Sequence, residues 1–325
     1  GLHQAHKEIK ELRKRLADNE LSSSLHSPTT TTASASNSRD LSTYPTLALM
    51  EKCRVEQEKM FKDVGQFWGA EFLHRVEAAY KSTPLESAIV IDVGANRGQG
   101  LDAIPVFGCP NKTKIFMWEP DEYNVAEIHR RAKLRNAESN IEVIQAIASP
   151  KAGQFSFWQT NVNQMGGITK KDDPDLGEQW EIKVEGVPVD DKMKDFPVIH
   201  WFKVDVERAE AHVFEGSKET LAKTMLLDYE CKGTFIGLAD GEESQLHLAQ
   251  FFARHDFMTF MLGHKTMLRM DGPFWSEAYD KDIRVHNCLA IRRNHPKFKE
   301  LVLDAVSTTH SPECVAAIGD VWPLK

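Results

Sequence analysis

The segment Ile89-Val90-Ile91-Asp92-Val93-Gly94-Ala95-Asn96-Arg97-Gly98-Gln99-Gly100 constrains the chain more than any other. A run of β-branched residues carries an acid to its end, and glycines at 94, 98 and 100 follow. The pattern predicts a strand that delivers Asp92 into a tight turn opening a helix. Glycine is wanted where the backbone turns sharply and where a ligand approaches a helix N-terminus. The turn lacks the Gly-Lys-Ser/Thr of a phosphate-binding loop, and Asn96 stands where GxGxxG requires its second glycine. Alone, it indicates a nucleotide-like ligand without naming one.

After Pro84 short apolar runs alternate with helix-length segments. The predicted strands are 88–93, 114–119, 141–148, 155–159, 198–206, 224–231, 257–262 and 285–291. Near-continuous apolar strands joined by helices imply a mostly parallel sheet covered on both faces, an α/β fold of Rossmann-like type. Such sheets bind ligands outside the carboxyl ends of their strands. The second strand ends in Trp118-Glu119-Pro120, with Glu119 27 positions beyond Asp92, one strand and one helix away. A carboxylate there can accept hydrogen bonds from both hydroxyls of a ribose. The strand after 198 ends Lys203-Val204-Asp205-Val206-Glu207-Arg208-Ala209-Glu210, which gathers Asp205, Glu207 and Glu210 at the same edge. The same acids would also suit a helix N-cap and first turn, and the residues alone leave both readings open.

The flanks read differently. Residues 1–20 place Leu2, Ala5, Ile9, Leu12 and Leu16 on a heptad seam, a helix or stalk able to self-associate. Residues 21–46 are a Ser/Thr-rich linker too polar to offset the entropy of ordering. A helical lead-in is predicted over 47–83, the main domain over 84–296, and a C-terminal extension over 297–325. The net charge of −8 argues against nucleic acid as a partner, and the basic run 130–135 reads as a solvated helix face. No apolar stretch is long enough to span a bilayer. The five cysteines show no CxxC spacing and read as small buried hydrophobes rather than as a disulfide or zinc framework. No metal site is expected: Asp172, Asp173 and Asp175 read as a solvated loop. The segment 159–186 reads as a loop covering the substrate.

The trio IVIDVGANRGQG, FMWEPDEYN and WFKVDVERAEAHVFEG, in this order and spacing, resembles the FkbM-type methyltransferases over roughly residues 88–292. The matching positions are Asp92, Gly94, Ala95, Asn96, Gly98, Glu119, Pro120, Lys203, Asp205, Glu207, Glu210 and Gly216. Arg208 departs from the family pattern, standing where glycine is usual. The resemblance implies a class I methyltransferase fold with a seven-stranded sheet, S-adenosylmethionine as cofactor, and O-methylation of a hydroxyl on a sugar or other small natural-product acceptor. Asp92, Gly94, Ala95, Asn96, Gly98, Glu119 and Ala146 would form the cofactor site, with Gln145 to Ala148 passing the adenine. Asp205, Glu207 and Glu230 are the candidate bases, ahead of His212 and His286. Two other readings remain: an NAD(P)-dependent oxidoreductase, and a non-catalytic S-adenosylmethionine-binding module on an oligomerising stalk. The order of stalk, linker and enzyme, with the sequon Asn111-Lys112-Thr113, matches a secretory-pathway luminal enzyme with an upstream anchor; a cytoplasmic enzyme is the alternative.

Overall fold

The structure, a computed structural model, describes residues 46–61, 64, 69–160, 166–168, 178–207, 209–231, 234–236, 242–282 and 284–320. The heptad segment, nearly all of the linker, Arg208 and the acidic stretch 172–175 lie outside them.

Two helices, α1 (Leu47–Phe61) and α2 (Gly69–Tyr80), precede the first strand. There follow β1 (Ala88–Val93), β2 (Thr113–Trp118), α3 (Glu122–Leu134), β3 (Ile141–Ile144), β4 (Ile147–Ala148), β5 (Gly153–Thr160), β6 (Gln179–Val187) and β7 (Trp201–Val204). The remainder comprises α4 (Glu210–Glu215), β8 (Leu226–Cys231), β9 (Thr234–Ile236), β10 (Glu242–Ser244), α5 (Gln245–Arg254), β11 (Phe257–Leu262), β12 (Met267–Arg269), β13 (His286–Arg292) and α6 (Pro312–Gly319), with shorter turns between.

The main sheet runs β12-β11-β13-β8-β7-β1-β2-β3. Strands β3, β2, β1, β7 and β8 are parallel, and β13 enters antiparallel between β8 and β11. The order reverses at β1, where the chain leaves β3 and returns on the other side as β7, so the switch point lies between β1 and β7. The expected mostly parallel α/β sheet is present. It has eight strands rather than seven, because Met267–Arg269 pairs with β11 in a short hairpin too brief to read from periodicity. The predicted run 141–148 breaks into β3 and β4, and β4 leaves the main sheet to pair with β6. Strands β5 and β6 form an antiparallel ribbon from Gly153–Gly186 to Thr160–Gln179. Much of the predicted covering loop is therefore strand: alternation in Gln179–Val187 satisfies a ladder on one side.

Each face of the sheet buries its own core. Ala88, Val90, Ile115 and Met117 pack with Met50 of α1, Phe72 and Val76 of α2, Ile128 of α3, and Leu301, Val306 and Ile318 near the C-terminus. Ile91, Val93, Phe116 and Trp118 pack with Val213 and Phe214 of α4 and Leu248 and Phe252 of α5. Helix α3 shows how the local sequence sets such an element. The Asp121 carboxylate accepts from the Asn124 N–H at 2.9 Å as N-cap, and Ile128 and Ala132 are buried. On its outer face Glu127 accepts from Arg130 and Arg131 at 2.7 and 2.9 Å, and Arg135 reaches Asp102 at 2.6 Å.

The cysteine reading needs correction. Cys53 of α1 is bonded to Cys314 of α6, and Cys231 of β8 to Cys288 of β13. All four are buried, as expected of small apolar residues, but their partners lie 261 and 57 positions away. No local spacing carries that information; only the docking of α6 beside α1 and the pairing of β13 with β8 bring the pairs together. Around the first disulfide, Glu56 accepts from the Ser311 N–H at 2.8 Å, and the buried Arg269 donates to Asp271 and to the Ile318 and Asp320 carbonyls that end α6. Among the described residues no helix is long and apolar enough to cross a membrane.

Replacing Cys53 and Cys314 together by serine removes a cross-link that closes most of the chain and should lower stability by about 2–5 kcal/mol. Urea unfolding without reductant measures it; an unchanged midpoint would mean that the terminal helices hold without the bond.

Candidate cofactor and active site

At the carboxyl ends of β1, β2, β4 and β7 the chain forms a cleft of about 380 Å³. One wall is the glycine turn. Gly94 and Asn96 have φ of 77° and 47°, and Gly98 has 85°, so the turn passes three times through the left-handed region. The Gly94 and Ala95 N–H groups both donate to the Trp118 carbonyl, at 3.0 and 3.1 Å, which ties the turn to the end of β2. On the other side the Asp205 N–H donates to the Val93 carbonyl at 3.0 Å. A Cβ on Gly94 would lie 1.8 Å from the Asp205 carbonyl oxygen. Glycine at 94 is thus what lets the two strand ends meet.

Glu119 is buried at the next strand tip and lines the cleft. Its Oε2 accepts from the Asn96 N–H at 2.7 Å; its Oε1 accepts from the Asp121 N–H at 3.0 Å and the Asn124 amide at 3.3 Å. Burial pushes its carboxyl up to about 7, against the pull of those three donors. A carboxylate offers about four acceptor positions, so three protein donors leave capacity for a ligand hydroxyl.

Ala146, Ile147 and Ala148, in the segment that the family resemblance sets beside an adenine, form the next part of the wall. Phe155 and Phe157 of the β5–β6 ribbon and Ile168, which pack in one apolar cluster with Ile147, also line the cleft; sequence reasoning missed them. The signal was present: Phe155 and Phe157 alternate onto one face of a strand. This apolar slot beside a carboxylate suits a flat purine joined to a ribose.

Asp205 and Glu207 line the cleft across from the turn, together with His212 of α4. Neither acid caps a helix: the N-cap of α4 is Ala209. Glu207 has φ 57°, an uncommon conformation for a non-glycine residue that occurs where the surroundings fix it. Glu210 is buried, and its carboxylate accepts from the Val206 N–H at 3.4 Å, so it braces the loop. Asp92, Ala95 and Gly98 are buried and do not line the cleft; they shape the turn. Glu230 is half-buried on β8 in register with Asn287, and it too is not among the lining residues. His286 is buried on β13, with Nε2 3.0 Å from Asp282 Oδ2, away from the cleft lining.

Behind the cleft a row of charges crosses the sheet. Asp92, Lys203 and Asp228 are in register on β1, β7 and β8, and therefore share a face. Lys203 Nζ lies 3.4 Å from Asp92 Oδ1 and 3.3 Å from Asp205 Oδ2. Burial alone would lower the Lys203 ammonium, but Asp92, Asp205 and Asp228 carry it above its ordinary value. Burial pushes Asp228 up to about 7, opposed by Lys203, and raises Asp92 in the same way. Asp228 carried no visible signal inside an apolar run; only the register reveals it.

No curated protein matches the sequence. The solved structure of a methyltransferase FkbM from Methylobacillus flagellatus KT superposes on 75% of this chain and 58% of its own, at 15% identity and a TM-score of 0.39. This chain therefore spans less than two thirds of that protein. An rRNA methylase from Streptococcus thermophilus covers 68% of this chain and 96% of its own, at 11% identity and a TM-score of 0.37. A precorrin-6y C5,15-methyltransferase from Geobacter metallireducens GS-15 covers 69% and 86%, at 9% identity and a TM-score of 0.36. These likenesses are distant, and family membership rests on the sequence. The methyltransferase FkbM domain profile matches residues 92–259, just over half of the chain, spanning the glycine turn, Glu119 and the Lys203–Glu210 segment. The chain belongs to the FkbM methyltransferase family, and its cofactor is S-adenosylmethionine.

Proposed function

We propose that the chain transfers the methyl group of S-adenosylmethionine to a hydroxyl oxygen of a sugar or other small natural-product acceptor. The observation that supports this most directly is one cleft lined by Glu119, by Gly94 and Asn96 of the turn, and by Asp205 and Glu207. Those residues fit the cofactor. Glu119 keeps acceptor capacity for the ribose, the slot between Ala146 and Phe157 takes the adenine, and Gly94 and Asn96 border the methionine end. The three acids favour a cationic sulfonium, whereas a dinucleotide would bring its diphosphate up against them.

The bound cofactor supplies an electrophilic methyl carbon and a neutral thioether leaving group. The protein's part is alignment of the acceptor, exclusion of water and removal of a proton. Asp205 is the base of choice: it lines the cleft, and its carboxylate is held by Lys203 at 3.3 Å. There it takes the proton of the acceptor hydroxyl as the oxygen bonds to carbon. Glu207, held in its left-handed conformation on the same wall, binds another acceptor hydroxyl. His212 borders the same space. Glu230, off the cleft lining, is set behind these as a base.

Two outcomes follow. Glu119→Gln should weaken S-adenosylhomocysteine binding by about 10- to 100-fold, the worth of one charge-assisted hydrogen bond. Because the wild-type carboxyl ionises near 7, its affinity should fall as pH drops through that value, while the Gln variant stays flat. Calorimetry on both proteins from about pH 8 down to about pH 6 reads this, and parallel profiles would remove Glu119 from the ribose site. Asp205→Asn should keep affinity for S-adenosylhomocysteine, whose sulfur is neutral, yet lose about 10²- to 10⁴-fold in methyl transfer to a hydroxyl acceptor. Unchanged turnover would dismiss Asp205 as the base.

A further inference from the structure

We propose that Asn111 is a site of N-linked glycosylation and that the chain folds in an oxidising lumen where that modification is made. The inference is independent of the methyl-transfer reading, since it rests on the opposite end of the sheet and on the cysteines.

Asn111-Lys112-Thr113 is the one Asn-x-Ser/Thr triplet in the 325 residues, and neither Lys112 nor Lys114 is proline. The structure puts Asn111 in the single turn Pro110–Lys112 that leads into β2, with Pro110, Asn111 and Lys112 all exposed. No hydrogen bond among the described residues uses its side-chain amide. Thr113 opens β2, whereas the cofactor cleft lies at the far end of the same strand, beside Trp118 and Glu119. Six residues of strand separate them by roughly 17 Å, so a glycan on Asn111 leaves the cleft open.

The threonine has a second duty that fixes when the modification happens. Thr113 is fully buried, with its hydroxyl within reach of the Ile104 carbonyl at 3.1 Å and the Cys109 carbonyl at 3.0 Å. Asn140 clamps the same turn by donating to the Pro110 and Thr113 carbonyls, both at 2.7 Å. In the folded chain the hydroxyl faces inward and the backbone is pinned, so transfer takes place on the nascent chain. There the Asn111 Nδ2 bonds to the anomeric carbon of a lipid-diphosphate-linked oligosaccharide. The carbon–oxygen bond to the diphosphate breaks, the diphosphate leaves with the electron pair, and an amide proton passes to a base of the transferase.

The disulfides supply the second observation. Four of five cysteines are paired, and all four are buried against the two faces of the sheet. Reducing compartments keep such thiols apart, while secreted and luminal proteins hold them as structural disulfides. An oxidising lumen is also where a nascent chain meets an oligosaccharide transferase. The sequon and the disulfides share no residue, yet they indicate one environment.

The test is translation of the full chain, behind a cleavable signal peptide, into endoplasmic-reticulum microsomes, with protease protection marking the imported fraction. We expect one endoglycosidase-sensitive mobility shift, lost in Asn111→Gln and kept in Thr113→Ser. Transfer precedes folding, so the readout does not require these variants to fold. Thiol alkylation of the protected wild-type chain without reductant should label Cys109 alone. A protected chain with no shift, a shift that persists in Asn111→Gln, or alkylation at Cys53, Cys231, Cys288 and Cys314 would each overturn the proposal.

Discussion

The carbonyl oxygen of Asp205 occupies the space where a Cβ of residue 94 would stand, so β1 and β7 can end side by side only over a glycine. That contact lies at the switch point of the sheet, the place where neighbouring strands part and leave a crevice. From it follow the turn that bonds to the Trp118 carbonyl, the N–H of Asn96 that meets Glu119, and the position of Asp205 on the cleft wall. A methyl group at position 94 would push β7 outward and part the cofactor wall from the candidate base.

The charges beneath the turn show how the sheet sustains an acidic mouth. A buried carboxylate is costly unless an opposite charge or hydrogen bonds compensate it. Lys203 serves Asp92 and Asp205 at once and sits between the strands carrying Asp92 and Asp228. Removing the lysine would leave three acids close together, two of them buried. Close packing at Gly100 belongs to the same arrangement: a Cβ there would come within 2.2 Å of Asp92 Oδ2. The glycines at 94 and 100 thus act through protein–protein approach, while Asn96 and Glu119 line the cleft with the apolar residues beyond them.

What the sequence made legible was whatever is set locally. Strand runs, the glycine turn and the acid at the second strand tip each depend on a few consecutive residues, and their strand-end placement follows from the α/β rule. Glu119 at that second strand tip lines the cleft. What stayed hidden depends on register or on distance along the chain. Asp228 joins the row of charges through its register with Lys203 on the neighbouring strand, and Glu230, two residues further along β8, lies off the cleft lining. Phe155 and Phe157 reach the cleft lining on β5, which is held by its pairing with β6. The disulfides need the docking of α6 beside α1 and the pairing of β13 with β8, which no spacing rule contains.

Parallel calorimetric titrations of the folded chain and of Gly94→Ala with S-adenosylhomocysteine and with NAD test the cleft most directly. The account predicts saturable one-site binding of S-adenosylhomocysteine to the wild type, no binding of NAD, and loss of the site in Gly94→Ala. Binding of NAD in place of S-adenosylhomocysteine, or undiminished affinity in Gly94→Ala, would contradict it.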